Sequence, residues 1–274
     1  MLKTRIITAV VLVAGFLGIL FLASDTTWAL LTLIASLIGV WEWANLIQLN
    51  KLQTRITLAV ASGLGLTLIF TSNISLAHYH DAVVFSILGI AAIFWIFIAP
   101  IWLSTRKKIN HRLAMSILGL LLLFATWIAL IGLHNISPWL LLGVLATVWI
   151  ADSAAYFAGK RFGRHKLAPE ISPGKTWEGV AGAIVAVSLY GFLLCYYLNY
   201  SLWLIVGLWL IVVLSIMGDL FESLLKRQAG VKDSSQLLPG HGGVLDRIDG
   251  LIPSLALTLF YIYFPLFANL PLQA

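Results

Sequence analysis

LAMSILGLLLLFATWIALIG, residues 113–132, carries no charged side chain and follows directly on Arg106, Lys107, Lys108 and Arg112. An α-helix rises 1.5 Å per residue, so a run of this length crosses ~30 Å of hydrocarbon. A strand of a membrane barrel would instead alternate apolar and polar residues, and this stretch does not alternate. Similar apolar segments lie on either side of it, at 6–23, 28–48, 56–76, 82–103, 138–158, 177–198, 201–217 and 250–268. The expectation is an all-α polytopic membrane protein with about nine transmembrane helices. Residues 6–23 exceed the usual ~7–15-residue core of a signal peptide and read as a retained first span. Segment 201–217 is short, and its helix is expected to continue past the membrane edge.

Composition supports the same class. The chain has 274 residues, of which 61% are hydrophobic and 10% charged, with 11 Trp. Soluble domains sit nearer ~45–50% apolar and ~25% charged. The single cysteine, Cys195, excludes an internal disulfide and a cysteine-built zinc site, and it reads as a small core residue. The net charge of +6 is explained by a membrane, where cytoplasmic loops collect Lys and Arg, rather than by nucleic acid.

All 17 basic residues fall in alternate connections. Lys3 and Arg5 precede the first segment. Lys51 and Arg55 follow the second, and Arg106, Lys107, Lys108 and Arg112 follow the fourth. Lys160, Arg161, Arg164, Lys166 and Lys175 follow the sixth, and Lys226, Arg227, Lys232 and Arg247 follow the eighth. The positive-inside rule then places the N-terminus in the cytoplasm and the C-terminus outside. The two longest cytoplasmic connections, 159–176 and 218–249, hold most of the polar residues of the second half. The chain therefore divides into N-terminal membrane spans, 1–140, and a region carrying the polar loops, 141–274.

Asp219 and Glu222 stand where the eighth segment leaves the membrane. On a helix, Asp219, Glu222, Ser223 and Lys226 share an arc of about 100°. Ionisable groups at this depth are costly and face a polar interior. Asp246 and Asp249 repeat the same spacing before the last segment, with Arg247 between them. Paired carboxylates from two segments suit Mg²⁺, which takes one or two carboxylates plus phosphate oxygens and water. Between the pairs lies Pro239-Gly240-His241-Gly242-Gly243, whose glycines permit a backbone anion nest. Ser172-Pro173-Gly174-Lys175-Thr176 approaches a P-loop, but Pro169 stands where that pattern needs glycine. It reads as a phosphate-binding turn entering the next helix, with Lys175 as the cation. Glu42, between Trp41 and Trp43, reads as an interfacial or packing residue. His78, His80 and Asp81 read as a solvated outer loop.

Ser223-Leu-Leu-Lys226-Arg227, Lys232-Asp233, Pro239-Gly-His241-Gly-Gly and Asp246-Arg247-Ile-Asp249, in this order and spacing, closely resemble the phosphatidate cytidylyltransferases (CDP-diacylglycerol synthases) of the bacterial type. Ala155-Tyr-Phe-Ala-Gly159, Phe162-Gly163 and Ile171-Ser-Pro-Gly-Lys-Thr-Trp-Glu-Gly179 are also similar to that family. The resemblance is carried by about residues 150–250. It implies transfer of the cytidylyl group of CTP to phosphatidate, giving CDP-diacylglycerol and pyrophosphate, with Mg²⁺, alone or with a second cation, and a homodimer. It implies residence in the bacterial inner membrane with the site on the cytoplasmic side.

On that basis Asp219 and Asp246 are the expected metal ligands, with Asp249 and Glu222 as second choices or orienting groups. Lys226, Arg227, Lys232, Lys175 and Arg247 are candidates for the triphosphate and lipid phosphate, with Ser172 and Ser223 beside them. Gly240, Gly242 and Gly243 shape the turn, and His241 either protonates the leaving group or holds the turn by a structural hydrogen bond. Asp152 lines the same cavity or orients a nearby arginine. A CTP-dependent lipid kinase and a transporter are the rival classes. The transporter would carry ionisable or broken segments near mid-membrane, whereas here charge crowds one edge.

Overall fold

The computed structural model describes residues 14–71, 82–238, 240 and 242–264. In a medium without water every backbone N–H and C=O must be satisfied within the chain, and the apolar runs accordingly form helices. Residues 14–22 are helical. They are followed by α1 (Asp25–Leu46), α2 (Lys51–Thr71), α3 (Ala82–Thr105), α4 (Arg112–Ile136) and α5 (Pro138–Phe162). A two-stranded hairpin, β1 (Lys166–Ala168) and β2 (Ser172–Thr176), leads into α6 (Trp177–Leu198) and α7 (Trp203–Ala229). One turn, α8 (Leu245–Ile248), and α9 (Leu251–Tyr263) complete the described chain.

Among the described residues, seven helices, α1 to α7, are long and apolar enough to cross a membrane. The expected first and last spans, 6–23 and 250–268, lie partly outside the described residues. As the sequence predicts, the helix of the eighth segment runs on, 27 residues to Ala229. There Gly230, at φ +76°, ends it by turning its N–H back to the carbonyls of Lys226 and Arg227. The connection 218–249 is thus half helix, and its true loop is 230–244.

The segment expected as a phosphate-binding turn is different. Ser172–Thr176 is extended and pairs antiparallel with β1, Lys166 opposite Thr176 and Ala168 opposite Ser172. Only its last residue works as a helix start: Thr176 Oγ1 accepts from the Gly179 N–H at 3.1 Å and caps α6.

Small residues let α5 and α6 approach closely. Ideal Cβ atoms at Gly179 and Gly182 would lie 2.9 Å from the Ala155 carbonyl and 3.3 Å from that of Ala154. The Ala-Tyr-Phe-Ala-Gly run and the Gly at 179 therefore serve helix packing, as small residues do between membrane helices. Elsewhere buried indoles tie helices together. Trp28 Nε1 donates to the Leu130 carbonyl (3.1 Å), and Trp127 Nε1 donates to the Ala29 carbonyl (3.1 Å), joining α1 and α4 reciprocally. Cys195 is buried, as its apolar setting predicts.

The feature that positions the site is aromatic. Phe221, 2% exposed, packs edge-on against Phe94, Trp95 and Trp102 of α3 at 5.3–5.5 Å between ring centroids. Phe94 and Trp95 lie in a π-helical turn, Phe94–Ile98, within α3. At ~100° per residue Phe221 points away from Asp219, so anchoring its ring sets the rotation of α7 and turns the carboxylate face inward.

Candidate active site

Three connections meet at one end of the bundle. Arg106 pairs with Glu170 at the hairpin tip. Lys108 Nζ donates to the Gln228 carbonyl at 2.9 Å, and Arg227 Nε donates to the Ile171 carbonyl at 3.4 Å. The basic connections after α3, α5 and α7, far apart in sequence, therefore share one end of the structure.

Within this end, α7 presents the face expected from its spacing. Asp219 Oδ1 accepts from Ser223 Oγ at 3.2 Å, and Asp219 Oδ2 pairs with Lys175 Nζ at 2.6 Å. One turn further, Lys226 Nζ donates to Glu222 Oε2 and to Asp246 Oδ1, both at 2.6 Å. The side chains of this triad are 12%, 4% and 7% exposed, so the ammonium is the counter-charge for two carboxylates shut away from water. Asp249 accepts from the Gly250 N–H at 2.8 Å. Burial, and the Asp219 carboxylate beside it, push its carboxyl up to about 7. Asp152 lies 3.5 Å from Ser215 Oγ and interacts electrostatically with Asp219 and Lys175.

Asp246, an expected metal ligand, is more heavily hydrogen-bonded than Asp219. Besides Lys226 on Oδ1, its Oδ2 accepts from Ser234 N–H (2.9 Å), Ser234 Oγ (2.9 Å) and Gly243 N–H (2.8 Å). Burial works to raise this carboxyl, but the hydrogen bonds from Lys226, Gly243 and Ser234 outweigh it and hold it down at about 2. Asp246 is thus ionised throughout neutral pH and holds the ends of the 234–243 loop. The turn inside that loop is glycine-built: Gly240 and Gly242 have φ +75° and +80°, and the Leu238 N–H donates to the Gly242 carbonyl at 2.9 Å. Gly243 packs between Ser234 and Glu42. Pro239 and His241 lie outside the described residues, as do Lys3, Arg5, His78, His80 and Asp81.

The remaining candidates are peripheral in this structure. Lys232, Arg227 and Arg247 are exposed at the rim, and Ser172 is half-buried in β2. Glu178 is bound to His165, accepting from its ring Nδ1 side at 2.7 Å and from its N–H at 3.2 Å, and so secures the hairpin rather than facing the carboxylates.

Gly218 makes the cluster geometrically attainable. A Cβ there would overlap the Asp249 carbonyl oxygen and lie 2.9 Å from two ring carbons of Pro253. With glycine, α7 contacts the α8–α9 junction directly, which brings Asp219 towards Asp249. Gly218→Val is therefore expected to force the two elements apart, at about 1–3 kcal/mol of stability and with loss of activity. Thermal inactivation and turnover measured on the same detergent sample check this, and unchanged values for both would show that the contact is not needed.

The residue that sequence reasoning undervalued is Glu42 of α1. It is fully buried and accepts from Ser235 Oγ (2.6 Å) and the Val244 N–H (2.9 Å) on Oε1. Its Oε2 accepts from the Leu245 N–H (2.6 Å), and Ser234 Oγ lies 3.3 Å away with its single proton shared between Glu42 and the nearer Asp246. An ionisable residue inside an apolar run was the available signal, but its partners lie some two hundred positions away.

Five carboxylates (Asp152, Asp219, Glu222, Asp246 and Asp249) thus face two ammonium groups, Lys175 and Lys226. An excess of hard oxygen donors of this kind fits a divalent cation and does not fit a soft metal. Among the described residues no three acidic, His or Cys side chains converge as a group that could hold a metal ion by themselves.

Residues 3–267 match the cytidylyltransferase family. The chain is 37% identical over 292 aligned residues to the phosphatidate cytidylyltransferase of Haemophilus influenzae, covering 97% of this chain and 100% of that one. It is 39% identical over 276 residues to that of Pseudomonas aeruginosa, covering 95% and 97%. A phosphatidate cytidylyltransferase of Thermotoga maritima aligns over 117 residues at 45% identity, covering 40% of this chain and 43% of its own length. With the family matched across nearly its whole length and the polar residues of α7 and its following loop gathered into one cluster, this chain belongs to the cytidylyltransferase family.

Proposed function

We propose that this membrane protein transfers the cytidylyl group of CTP to phosphatidate, releasing pyrophosphate and forming CDP-diacylglycerol for phospholipid synthesis. The observation that carries the reading is the convergence of Lys175, Asp219, Lys226 and Asp249 from three segments of the chain at one end of the bundle. A phosphate oxygen of phosphatidate attacks the α-phosphorus of CTP, the new P–O bond forms, and the bond to the β-phosphate breaks in line. The nucleophile is already an anion, so no strong base is required. Positioning and charge neutralisation carry such transfers. Lys175 and Lys226 neutralise phosphate charge, and Arg227, Lys232 and Arg247 at the rim attract the polyanion. The backbone of the glycine turn at Gly240 and Gly242 offers donors for the leaving pyrophosphate, while the Gly243 N–H is held by Asp246.

Mg²⁺ would be held by Asp219 and would supply charge neutralisation at the triphosphate. Asp246 is the second expected ligand: its Oδ1 has one donor, Lys226, and keeps a lone pair, whereas its Oδ2 is filled by Ser234 and Gly243. Asp249 and Asp152, both within electrostatic reach of Asp219, are the further candidates. The one-sided distribution of Lys and Arg supports a cytoplasmic N-terminus and a site on the cytoplasmic face of the bacterial inner membrane, where CTP is made. The homodimer rests on the resemblance alone.

A CTP-dependent lipid kinase would use the same groups, and products separate the two. With labelled CTP and phosphatidate in detergent, the expected products are pyrophosphate and a labelled lipid. Release of CDP, with no cytidine label in the lipid fraction, would overturn the proposal.

A further inference from the structure

Glu42 is not in the polar loops, and nothing in the mechanism above uses it. Yet among the described residues it is, with Asp246, one of two carboxylates that have four donors within hydrogen-bond distance, in its case two at each oxygen. Its four donors come from both ends of one loop: Ser234 and Ser235 from the start, Val244 and Leu245 from the end. Ser234 is shared, its Oγ lying 3.3 Å from Glu42 Oε2 and 2.9 Å from Asp246 Oδ2. Asp246 in turn holds Lys226 at 2.6 Å. The contacts form one continuous chain from α1 through Glu42, Ser234 and Asp246 to Lys226 and Glu222. The fit leaves no slack, since a Cβ at Gly243 would overlap both Ser234 Oγ and Glu42 Oε1.

We propose that Glu42 is a positioning residue of the active site: it clasps both ends of the 234–245 loop against α1 and thereby sets where Asp246 and Lys226 stand for the nucleotide. The idea rests on the site proposed above. Its physical basis is that a carboxylate can accept four hydrogen bonds and an amide cannot. Glu42→Gln keeps the shape but sets an NH₂ group against N–H and O–H donors, so at least one end of the loop is released. Glu42→Asp keeps the charge at a shorter reach.

The test uses the full-length protein in detergent. For Glu42→Gln, the KM for CTP is expected to rise about tenfold, the loss of one charge-assisted hydrogen bond, with a smaller fall in kcat. Amide exchange should quicken at Val244 and Leu245 but not in α4 or α7. Glu42→Asp should recover part of the affinity. Ser235→Ala, a change in a half-buried loop side chain that leaves α1 intact, should shift the KM for CTP in the same direction by less, which keeps the idea testable if Glu42→Gln does not fold. Wild-type KM values in both Glu42→Gln and Ser235→Ala would overturn the proposal. So would a loss of exchange protection spread evenly over the helices, which marks a purely structural role. Lys226→Met run alongside separates the two levels. An inactive Lys226→Met with normal Glu42 variants defeats only the clasp, whereas a fully active Lys226→Met defeats the site itself.

Discussion

Asp219→Asn is expected to lower cytidylyl transfer from CTP to phosphatidate by about 10²–10³-fold, the loss typical of removing one preorganised electrostatic group from a reaction centre, while the protein remains folded. Asp219 is one-third exposed and sits on the open side of the cluster, between Ser223 at 3.2 Å and Lys175 at 2.6 Å. With one contact on each oxygen it has lone pairs left for a cation, whereas Asp246 has one contact on Oδ1 and three on Oδ2. The asparagine keeps the size and the Ser223 contact, so the change is electrostatic. Turnover of labelled CTP at saturating Mg²⁺, with a Mg²⁺ titration of the variant, provides the measurement. Near-normal turnover at ordinary Mg²⁺ would remove Asp219 from the metal and from the chemistry. A normal maximal rate reached only at raised Mg²⁺ would keep it as a ligand and deny it any other role.

Lys226→Met is expected to be the most damaging substitution to the fold of this region. Lys226 is the ammonium between Glu222 and Asp246, whose side chains are 4% and 7% exposed. Removing one member of a buried ionic cluster costs about 3–5 kcal/mol, because the charges left behind have neither water nor a partner. Membrane proteins rarely unfold reversibly, so the readout is the half-life of the folded protein in detergent at a fixed raised temperature. The half-life should fall sharply, and a second change, Glu222→Gln, should restore part of it by removing one of the stranded charges. Activity should stay lost in the double variant, since the phosphate-neutralising ammonium is still missing. An unchanged half-life in Lys226→Met would mean that the two carboxylates find water or each other's proton, and that the triad is not a structural tie.

Much of this molecule was legible in local pattern. Runs such as 113–132 have only one low-energy state in hydrocarbon, and the described helices follow them closely: 25–46 for 28–48, 138–162 for 138–158, and 177–198 for itself. The helical face of Asp219, Glu222, Ser223 and Lys226 was equally readable, because a period of 3.6 residues needs no tertiary information. Ser172–Thr176 has the local pattern of a turn but forms a strand. Pro and Gly favour turns locally, but pairing with Lys166–Ala168 and the docking of the hairpin tip through Glu170 and Ile171 hold this stretch extended.

By itself, the sequence determined the membrane class, the clustering of charge and the set of carboxylates and lysines from which a phosphate-transfer site can be built, since each follows from composition or from spacing within one helix. The tertiary structure alone decided how those groups divide. It gave Lys175 to Asp219, gave Lys226 to Glu222 and Asp246, and drew Glu42 from the first half of the chain onto a loop in the second. Hydrogen bonds between residues two hundred positions apart depend on how helices pack, here on Phe221 turning α7 and Gly218 letting it approach, and no local rule encodes that.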